Sequence, residues 1–161
     1  MIRAAEFSDC NLYRYTLTRI WDETKPIINW IGLNPSTADA MLDDPTIRRE
    51  MNFSRRWGYG GMIKTNLYAY RATDPRDMAS APEPIGRDND LYIESVARKS
   101  NVIVFAWGTH AMARARAEYV ATKILVRRQA WCLGVTSEGF PRHPVRLRAD
   151  LELEPFLWRK P

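Results

Sequence analysis

The sequence contains very little cysteine and histidine, with two residues of each among 161. Two thiols are too few for a disulfide framework or for a four-cysteine iron–sulfur cluster. So few histidines, without clustered cysteines or acids beside them, also argue against a zinc site. We therefore expect no metal and no cofactor, and we expect Cys10 and Cys132 to be reduced thiols, as is usual in a cytoplasmic protein.

Long apolar segments and several well-known motifs are also missing. No run approaches the roughly 20 apolar residues of a membrane helix, and no apolar signal core follows Arg3. We therefore expect a cytoplasmic protein without a membrane partner. Residues 58–61, Gly-Tyr-Gly-Gly, lack the Lys-Ser/Thr of a Walker loop, and neither a Gly-x-Gly-x-x-Gly nor a Gly-x-Ser-x-Gly motif occurs. These absences remove the main support for P-loop enzymes, kinases, Rossmann dehydrogenases and serine hydrolases.

What the chain does contain is typical of one globular domain, which we place at residues 1–161. Hydrophobic residues make up 45% and charged residues 27% of the sequence. The formal net charge is +5 and the isoelectric point is near 9.4. A basic protein favours a polyanionic partner such as nucleic acid, although many basic proteins bind none.

Short apolar runs alternate with helical patterns along most of the chain. The patterns predict an N-terminal edge strand or hairpin arm at 11–21, an ordered loop at 71–86, and no assignable structure after Val145. They predict strands at 27–31, 62–68, 101–107 and 130–134, and helices at 45–57, 88–99 and 109–128. This alternation predicts an α/β fold with three layers, α/β/α, around a central parallel sheet of about four strands, beside the N-terminal edge strand or hairpin.

Each of the four predicted parallel strands leads into an unusual segment. These segments are Gly-Leu-Asn-Pro-Ser at 32–36, Asn-Leu-Tyr-Ala-Tyr at 66–70, Trp-Gly at 107–108 and Gly-Phe-Pro-Arg-His-Pro at 139–144. Ligands of open α/β sheets bind beyond the carboxyl ends of the strands. We therefore expect the four segments to meet at one edge of the sheet.

Three polar residues in these segments have both a functional and an ordinary interpretation. Asn34, between Gly and Pro, can aim an amide at a water or a carbonyl group, or it can merely stabilise a turn. His143 can act as an acid, a base or a hydrogen-bond donor, or it can be a surface loop residue. Asn66 is the hardest to explain without a function, because a buried amide needs partners and can form two bonds to the edge of a nucleobase.

Charged residues give a weaker signal. On a helical wheel of residues 45–57 the apolar side chains share one side, and four arginines occupy the rest: Arg48, Arg49, Arg55 and Arg56. Arginines on a solvated helix can grip phosphates or serve only solubility. Asp39, Asp43 and Asp44 can form an acidic pocket or bind a cation, but a helix cap explains Asp44 without any ligand.

Taken in order, the strand-end motifs resemble the uracil-DNA glycosylase superfamily over about residues 27–147. The wider pattern also resembles an uncharacterised bacterial and phage family known as a domain of unknown function. The residues that carry this second resemblance are Leu-Asn-Pro-Ser-Thr-Ala-Asp at 33–39, Asp-Asp-Pro-Thr-Ile-Arg at 43–48, Trp-Gly-Tyr-Gly at 57–60, Asn-Leu at 66–67, Arg-Ala-Thr-Asp-Pro at 71–75 and His-Pro at 143–144.

The glycosylase resemblance implies a role for each matching position. Asn34 would hold the attacking water, Asn66 would recognise the base edge, and His143 would stabilise the departing base, so Asn34 and His143 are the expected catalytic pair. The other expected substrate contacts are Gly32, Pro35, Ser36, Tyr68, Trp107, Gly108 and Pro144. The expected phosphate contacts are Arg48, Arg55, Arg71 and Arg142.

The sequence departs from this superfamily in two places. Val145 follows His143-Pro144 where a serine is usual, so that Arg146 and Leu147 would have to supply the wedge that enters DNA. The segment after Ser36 has no aromatic residue to stack on the base, a role that Tyr68 or Tyr70 could take.

Three functions remain open at this point. The first is a hydrolase that cleaves a nucleobase N-glycosidic bond in DNA or a nucleotide. The second is a non-catalytic nucleotide- or nucleic-acid-binding module on the same fold, and the third is a protein-binding adaptor. An adaptor has no need to bring Asn34, Asn66 and His143 together. The sequence does not predict an oligomeric state.

Overall fold

The fold, described by a computed structural model over residues 1–158, is built on one seven-stranded sheet. Its strands lie in the spatial order β1-β2-β4-β3-β5-β6-β7. In chain order they are β1 (Ile2–Phe7), β2 (Arg14–Ile20), β3 (Ile27–Gly32), β4 (Gly61–Asn66), β5 (Val102–Phe105), β6 (Ala130–Cys132) and β7 (Glu154–Pro155). The four central strands are parallel, whereas the β1–β2 hairpin at one side and β7 at the other are antiparallel to their neighbours.

Helices connect and cover these strands. They are α1 (Pro45–Arg56), α2 (Pro75–Ser80), α3 (Asn89–Lys99) and α4 (Ala113–Tyr119). Helix α4 continues into a π-helical turn, Val120–Ile124, and a 3-10 turn spans Pro144–Arg146. No helix in residues 1–158 is both long enough and apolar enough to span a membrane.

Helix α1 begins and packs as its sequence predicts. The Asp44 carboxylate accepts a hydrogen bond from the Ile47 backbone N–H at 2.9 Å, and Pro45 occupies the first helical position, where no N–H is needed. Ile47, Met51 and Phe53 are buried on the side that faces the sheet. The residues toward solvent include arginines of the last turn, where positive charge complements the helix dipole.

Two apolar clusters, one on each face of the sheet, establish the predicted three-layer α/β/α arrangement. On one face Ile31 and Phe105 pack with residues of α3 and α4. On the other face Ile28 and Trp30 pack with residues of α1. Trp30 is fully buried, and its indole N–H donates to Ser54 Oγ at 2.9 Å, so its polar atom is satisfied inside the core.

Several predicted boundaries are wrong. The segment at 11–21 forms β2, an arm of the β1–β2 hairpin, which confirms one of its two predicted forms. It is not an edge strand, because β1 covers its outer side; β1 has no fully buried position, so its apolar signal is faint. The predicted loop at 71–86 contains α2. The predicted helix at 109–128 begins only at Ala113, so His110 precedes the helix and accepts a hydrogen bond from Met112 N through Nδ1. The tail contributes β7, which the pattern left unassigned.

Candidate functional site

A pocket that contains several of the predicted motifs lies where the parallel strands end. It has a volume of about 650 Å³ and is bounded by the ends of β3, β4 and β5, by the first turn of α1 and by the loop after β6. Among the residues expected to bind substrate or phosphate, those that line it are Gly32, Asn34, Ser36, Asn66, Trp107, Gly108, Arg142 and His143. The three polar residues with the clearest functional interpretation, Asn34, Asn66 and His143, therefore share one cavity.

Three expected substrate contacts lie behind the wall instead of on it. Pro35 and Pro144 are buried beside lining residues. Tyr68 is buried, and its hydroxyl donates to the Met112 carbonyl at 2.8 Å. A tyrosine tied to the backbone in this way supports the pocket and does not offer a free ring for stacking on a base.

Three of the four expected phosphate contacts also lie outside the pocket. The Arg48 guanidinium bonds to the Asp43 carbonyl. The Arg55 guanidinium covers the Trp21 ring at 4.5 Å, and that of Arg71 lies 4.7 Å from the centre of the Phe7 ring. Arg142 alone of the four lines the pocket, and its guanidinium has no hydrogen-bond partner among residues 1–158.

Asn34 is fixed by the neighbouring loop. Its Nδ2 donates to the Ala72 carbonyl at 2.9 Å and to the Pro35 carbonyl at 3.1 Å. Its Oδ1 has no hydrogen-bond partner within residues 1–158. The side chain is therefore held rigidly by its nitrogen, and its oxygen remains available to orient a water molecule or a ligand N–H.

Asn66 closes the deep end of the pocket with an unsatisfied amide. Its side chain is buried, yet neither Oδ1 nor Nδ2 has a partner in the described chain. Its backbone is held firmly, because Asn89 Nδ2 donates to its carbonyl at 2.9 Å and to the Leu67 carbonyl at 3.1 Å. Buried polar groups without partners cost free energy, so an amide kept in this state points to a ligand that supplies the missing bonds.

Lys64, two residues before Asn66 on β4, is one of two buried cations on the pocket wall that sequence reasoning missed. It is 4% exposed, lines the pocket, and forms an ion pair with Glu50 of α1, which is fully buried. Burial raises the pKa of Glu50, and the Lys64 ammonium opposes that rise. The available signal was a lysine inside an apolar strand together with a glutamate on the apolar side of α1, two charges that burial would force to pair.

Gly32 leaves the space in which these side chains meet. A Cβ at this position would lie 2.7 Å from Lys64 Nζ and 2.9 Å from Asn66 Oδ1. No hydrogen bond joins the two side chains. The absence of a side chain at Gly32 thus lets an ammonium group and an amide approach the same point at the end of the pocket.

His143 lies at the mouth of the pocket as a neutral imidazole. Burial of the ring by its surroundings, together with the Lys64 ammonium and against the effect of Asp44, lowers the pKa from 6.5 to about 4. The Val145 N–H donates to Nδ1 at 3.4 Å, so the proton of the neutral ring lies on Nε2. Although the side chain remains accessible to solvent, it is therefore a hydrogen-bond donor, and not a cation, near neutral pH.

Gly108 lies next to this histidine in a backbone conformation that favours glycine. Its φ is +75°, a left-handed conformation that favours glycine, and a Cβ there would lie 3.6 Å from His143 Cβ. Its N–H donates to the Pro141 carbonyl at 3.0 Å, which ties the end of β5 to the loop that carries His143. The Trp-Gly motif therefore positions the His-Pro loop.

Arg14 adds a second buried cation to the pocket wall. It is 2% exposed and donates to the Ala38 carbonyl, while its Nε has no partner. Burial lowers its pKa to about 10, and Asp44 and Glu50 counteract that effect. Sequence reasoning missed Arg14 because it sits within a strand whose neighbour, β1, was not predicted.

Among residues 1–158, no group of three or more histidine, cysteine, aspartate or glutamate side chains is placed to hold a metal ion. The pocket lining includes the amides of Asn34 and Asn66, a neutral imidazole, the Asp44 carboxylate and three cations, of which Lys64 is paired with Glu50. Such a set of side chains offers donors and acceptors that suit a polar, partly anionic organic molecule. The volume is in the range of small-molecule sites.

The fold and the pocket together define a three-layer α/β/α protein with a pocket lined by polar side chains at the carboxyl ends of its parallel strands. The sequence model of the family described as a protein of unknown function (DUF1643) matches residues 14–145. Because that match spans most of the chain, the protein belongs to this family. Searches of curated proteins and of solved structures found no match.

Proposed function

We propose that this protein hydrolyses the N-glycosidic bond of a nucleobase in DNA or in a nucleotide. The observation that carries the proposal is the unsatisfied amide of Asn66, which shares one pocket with Asn34 and His143. One donor and one acceptor side by side match the adjacent acceptor and N–H on the edge of a nucleobase. The order of the strand-end motifs, which resembles that of the uracil-DNA glycosylase superfamily, supports the same interpretation.

The roles follow from which atoms are free. The base edge would bond to the Asn66 amide, and the Asn34 Oδ1 would orient the attacking water. When the C1′–N bond breaks, both electrons go to the base nitrogen, while the water oxygen forms the new C1′–O bond and loses a proton. The departing base, negatively charged at that moment, would accept a hydrogen bond from His143 Nε2 and take up a proton on release.

A non-catalytic binding module in the same pocket is the second candidate, and one observation favours it. The group near the expected water position is an amide and not a carboxylate, so it can orient a water but cannot accept its proton. This arrangement predicts slow turnover at best. By contrast, the presence of Asn34, Asn66 and His143 in one cavity argues against an adaptor, which needs no such site.

A cleavage screen tests the proposal. The purified protein is incubated with labelled single- and double-stranded DNA that carries uracil, hypoxanthine, mismatches or modified bases, and with the matching free nucleotides. Abasic sites are revealed by alkali, and released base is separated by chromatography. Release of one base supports the hydrolase and identifies its substrate. Binding without release supports the binding module. If the protein neither binds nor cleaves any of these molecules, both candidates are rejected.

A further inference from the structure

Only one partner of the ion pair between Lys64 and Glu50 reaches the pocket. Lys64 lines the pocket, whereas Glu50 is fully buried and does not contribute to the lining. The carboxylate therefore holds the ammonium from behind and leaves it facing the cavity. A pair with only a structural purpose would not need one partner at a pocket surface, and apolar residues would fill the same space at no greater cost in free energy.

Two further features bring the ammonium to the ligand end of the cavity. Gly32 provides the space over which Lys64 Nζ extends, and Asn66 Oδ1 adjoins the same space. An ammonium beside an unsatisfied amide presents donors to an oxygen that carries negative charge, together with one acceptor for an adjacent N–H. The first turn of α1, with Thr46 on the pocket wall, adds the positive end of a helix dipole.

We propose that Lys64 binds the nucleobase in its anionic form and thereby stabilises the leaving group of the proposed hydrolysis. The ligand class is a planar heterocycle with a ring carbonyl next to an ionisable ring nitrogen. The inference rests on the proposed function in taking a nucleobase as the ligand. It adds a cation, held in place by Glu50, to the neutral His143 and the Asn66 amide.

The other charged groups around Lys64 are consistent with this role. Glu50 and Asp44 contribute negative charge on the α1 side, and Arg14 contributes a second buried cation. His143 stays neutral in this environment, so it adds no positive charge near neutral pH. Lys64 and Arg14 are therefore the buried cations of the pocket, and Lys64 lies beside the Asn66 amide over Gly32.

The test uses two free bases whose ring N–H ionises near neutral pH, 5-fluorouracil and xanthine. Their affinities are measured by titration calorimetry at pH values below and above that ionisation. The wild-type protein is expected to bind at least one of them about 10- to 100-fold more tightly when it is ionised, the range expected for a buried charge-assisted hydrogen bond. 1,3-Dimethyluracil, which cannot ionise, should show no such gain.

The informative variant is the double substitution Lys64→Met with Glu50→Gln, which removes the cation without leaving a buried carboxylate unpaired. The gain in affinity on ionisation should disappear, while the midpoint of urea unfolding stays near that of the wild type. The matched control is Arg98→Met, an exposed cation on α3, which should keep the full gain. A Lys64→Arg substitution, which keeps a cation at this position, should retain part of the gain in affinity on ionisation.

The outcomes separate this inference from the proposed function. Lys64 has no such role if the wild type binds the neutral and ionised bases equally or binds neither, or if the double variant keeps the gain. If the gain depends on Lys64 but the cleavage screen yields no product, the hydrolase proposal fails and the anion site stands. If a base is released, the double variant should lose more rate on the unsubstituted base than on its 5-fluoro analogue, which leaves more easily; equal losses would contradict the role in leaving-group stabilisation.

Discussion

At the residue scale, Asn66 and Asn89 form a natural comparison, because both carry buried side-chain amides near the end of β4. Asn66 is the last residue of β4, and Asn89 is the first residue of α3. Asn66 lacks partners for both polar atoms, whereas Asn89 donates two hydrogen bonds to the backbone of residues 66 and 67. Asn66→Ala should change the free energy of unfolding by less than about 1 kcal/mol, while Asn89→Ala should lower it by about 1–3 kcal/mol. Urea denaturation measures both.

The same pair of variants separates function from stability. Asn66→Ala should lose ligand binding while it remains folded, since its amide is free for recognition and contributes no bond to the fold. A large loss of stability in Asn66→Ala would mean that the amide has a structural partner, and its assignment to base recognition would then be wrong.

The contribution of His143 to the free energy of unfolding depends on pH, and its sign is predictable. Its pKa is lowered from 6.5 to about 4 in the folded protein, so the unfolded chain binds more protons between these two values. Its contribution to stability is therefore complete above pH 6.5 and is lost as the pH falls through about 4. An NMR titration of the imidazole Cε1–H, assigned with His143→Gln, should show a midpoint near 4; a midpoint at or above 6.5 would contradict the neutral-donor role.

The sequence predicted the polar residues at strand ends better than those within strands. Asn34, Asn66 and His143 attract notice because Gly, Pro and Asn at the end of an apolar run mark a turn, and turns at carboxyl ends converge. Lys64 and Arg14 could not be identified in the same way. A charge inside a strand becomes informative only when the tertiary structure reveals its partner, and Glu50 lies 14 positions away on a different element.

At the scale of elements, α1 links stability to the pocket. Asp44 caps the helix through the Ile47 N–H and also lines the cavity. Asp44→Ala should lower the free energy of unfolding by about 1 kcal/mol, because the cap is lost. Asp44→Asn, which keeps the cap, serves as the control. Equal stability of the alanine variant and the wild type in urea denaturation would show that the cap contributes nothing.

Element boundaries were predictable where the sequence supplies a stop signal. Helix α1 is bounded by Asp44-Pro45 and by the glycines after Trp57, and its predicted limits agree with the structure to within one residue. The helix expected at 109–128 has Thr109 as its expected N-cap, a start signal that the structure does not use, because α4 begins at Ala113. Its Ala- and Arg-rich composition favours helix throughout, but residues 107–110 line the pocket, with Gly108 in a left-handed conformation. Packing of the Trp-Gly segment against the His-Pro loop overrides the local preference.

At the scale of the whole molecule, the net charge of +5 predicts how the protein should respond to salt if it binds DNA. Affinity should fall steeply as salt concentration rises, because phosphate contacts release counterions. Arg142, unpartnered at the pocket, is the best candidate for such a contact, and Arg142→Gln should reduce the slope of log affinity against log salt by about 1. Arg98→Gln should leave it unchanged, and a salt-insensitive affinity in the wild type would contradict phosphate binding.

The overall architecture was the most predictable level of all. Four apolar strands separated by helical segments leave few arrangements other than a parallel sheet covered on both faces. The two outer additions, β1 and β7, were not predictable. Edge strands with one paired side and no fully buried residue leave almost no apolar pattern in the sequence, and β7 consists of only two residues.

The most direct test of the central claim is single-turnover cleavage of the base identified by the screen, measured for the wild type, Asn34→Ala and His143→Ala. The account predicts that both variants still bind the substrate and that each loses about 10²- to 10⁴-fold in the rate of base release, the range typical of a removed acid–base or electrostatic group. Base release at the wild-type rate in both variants would place the chemistry outside this pocket and contradict the account.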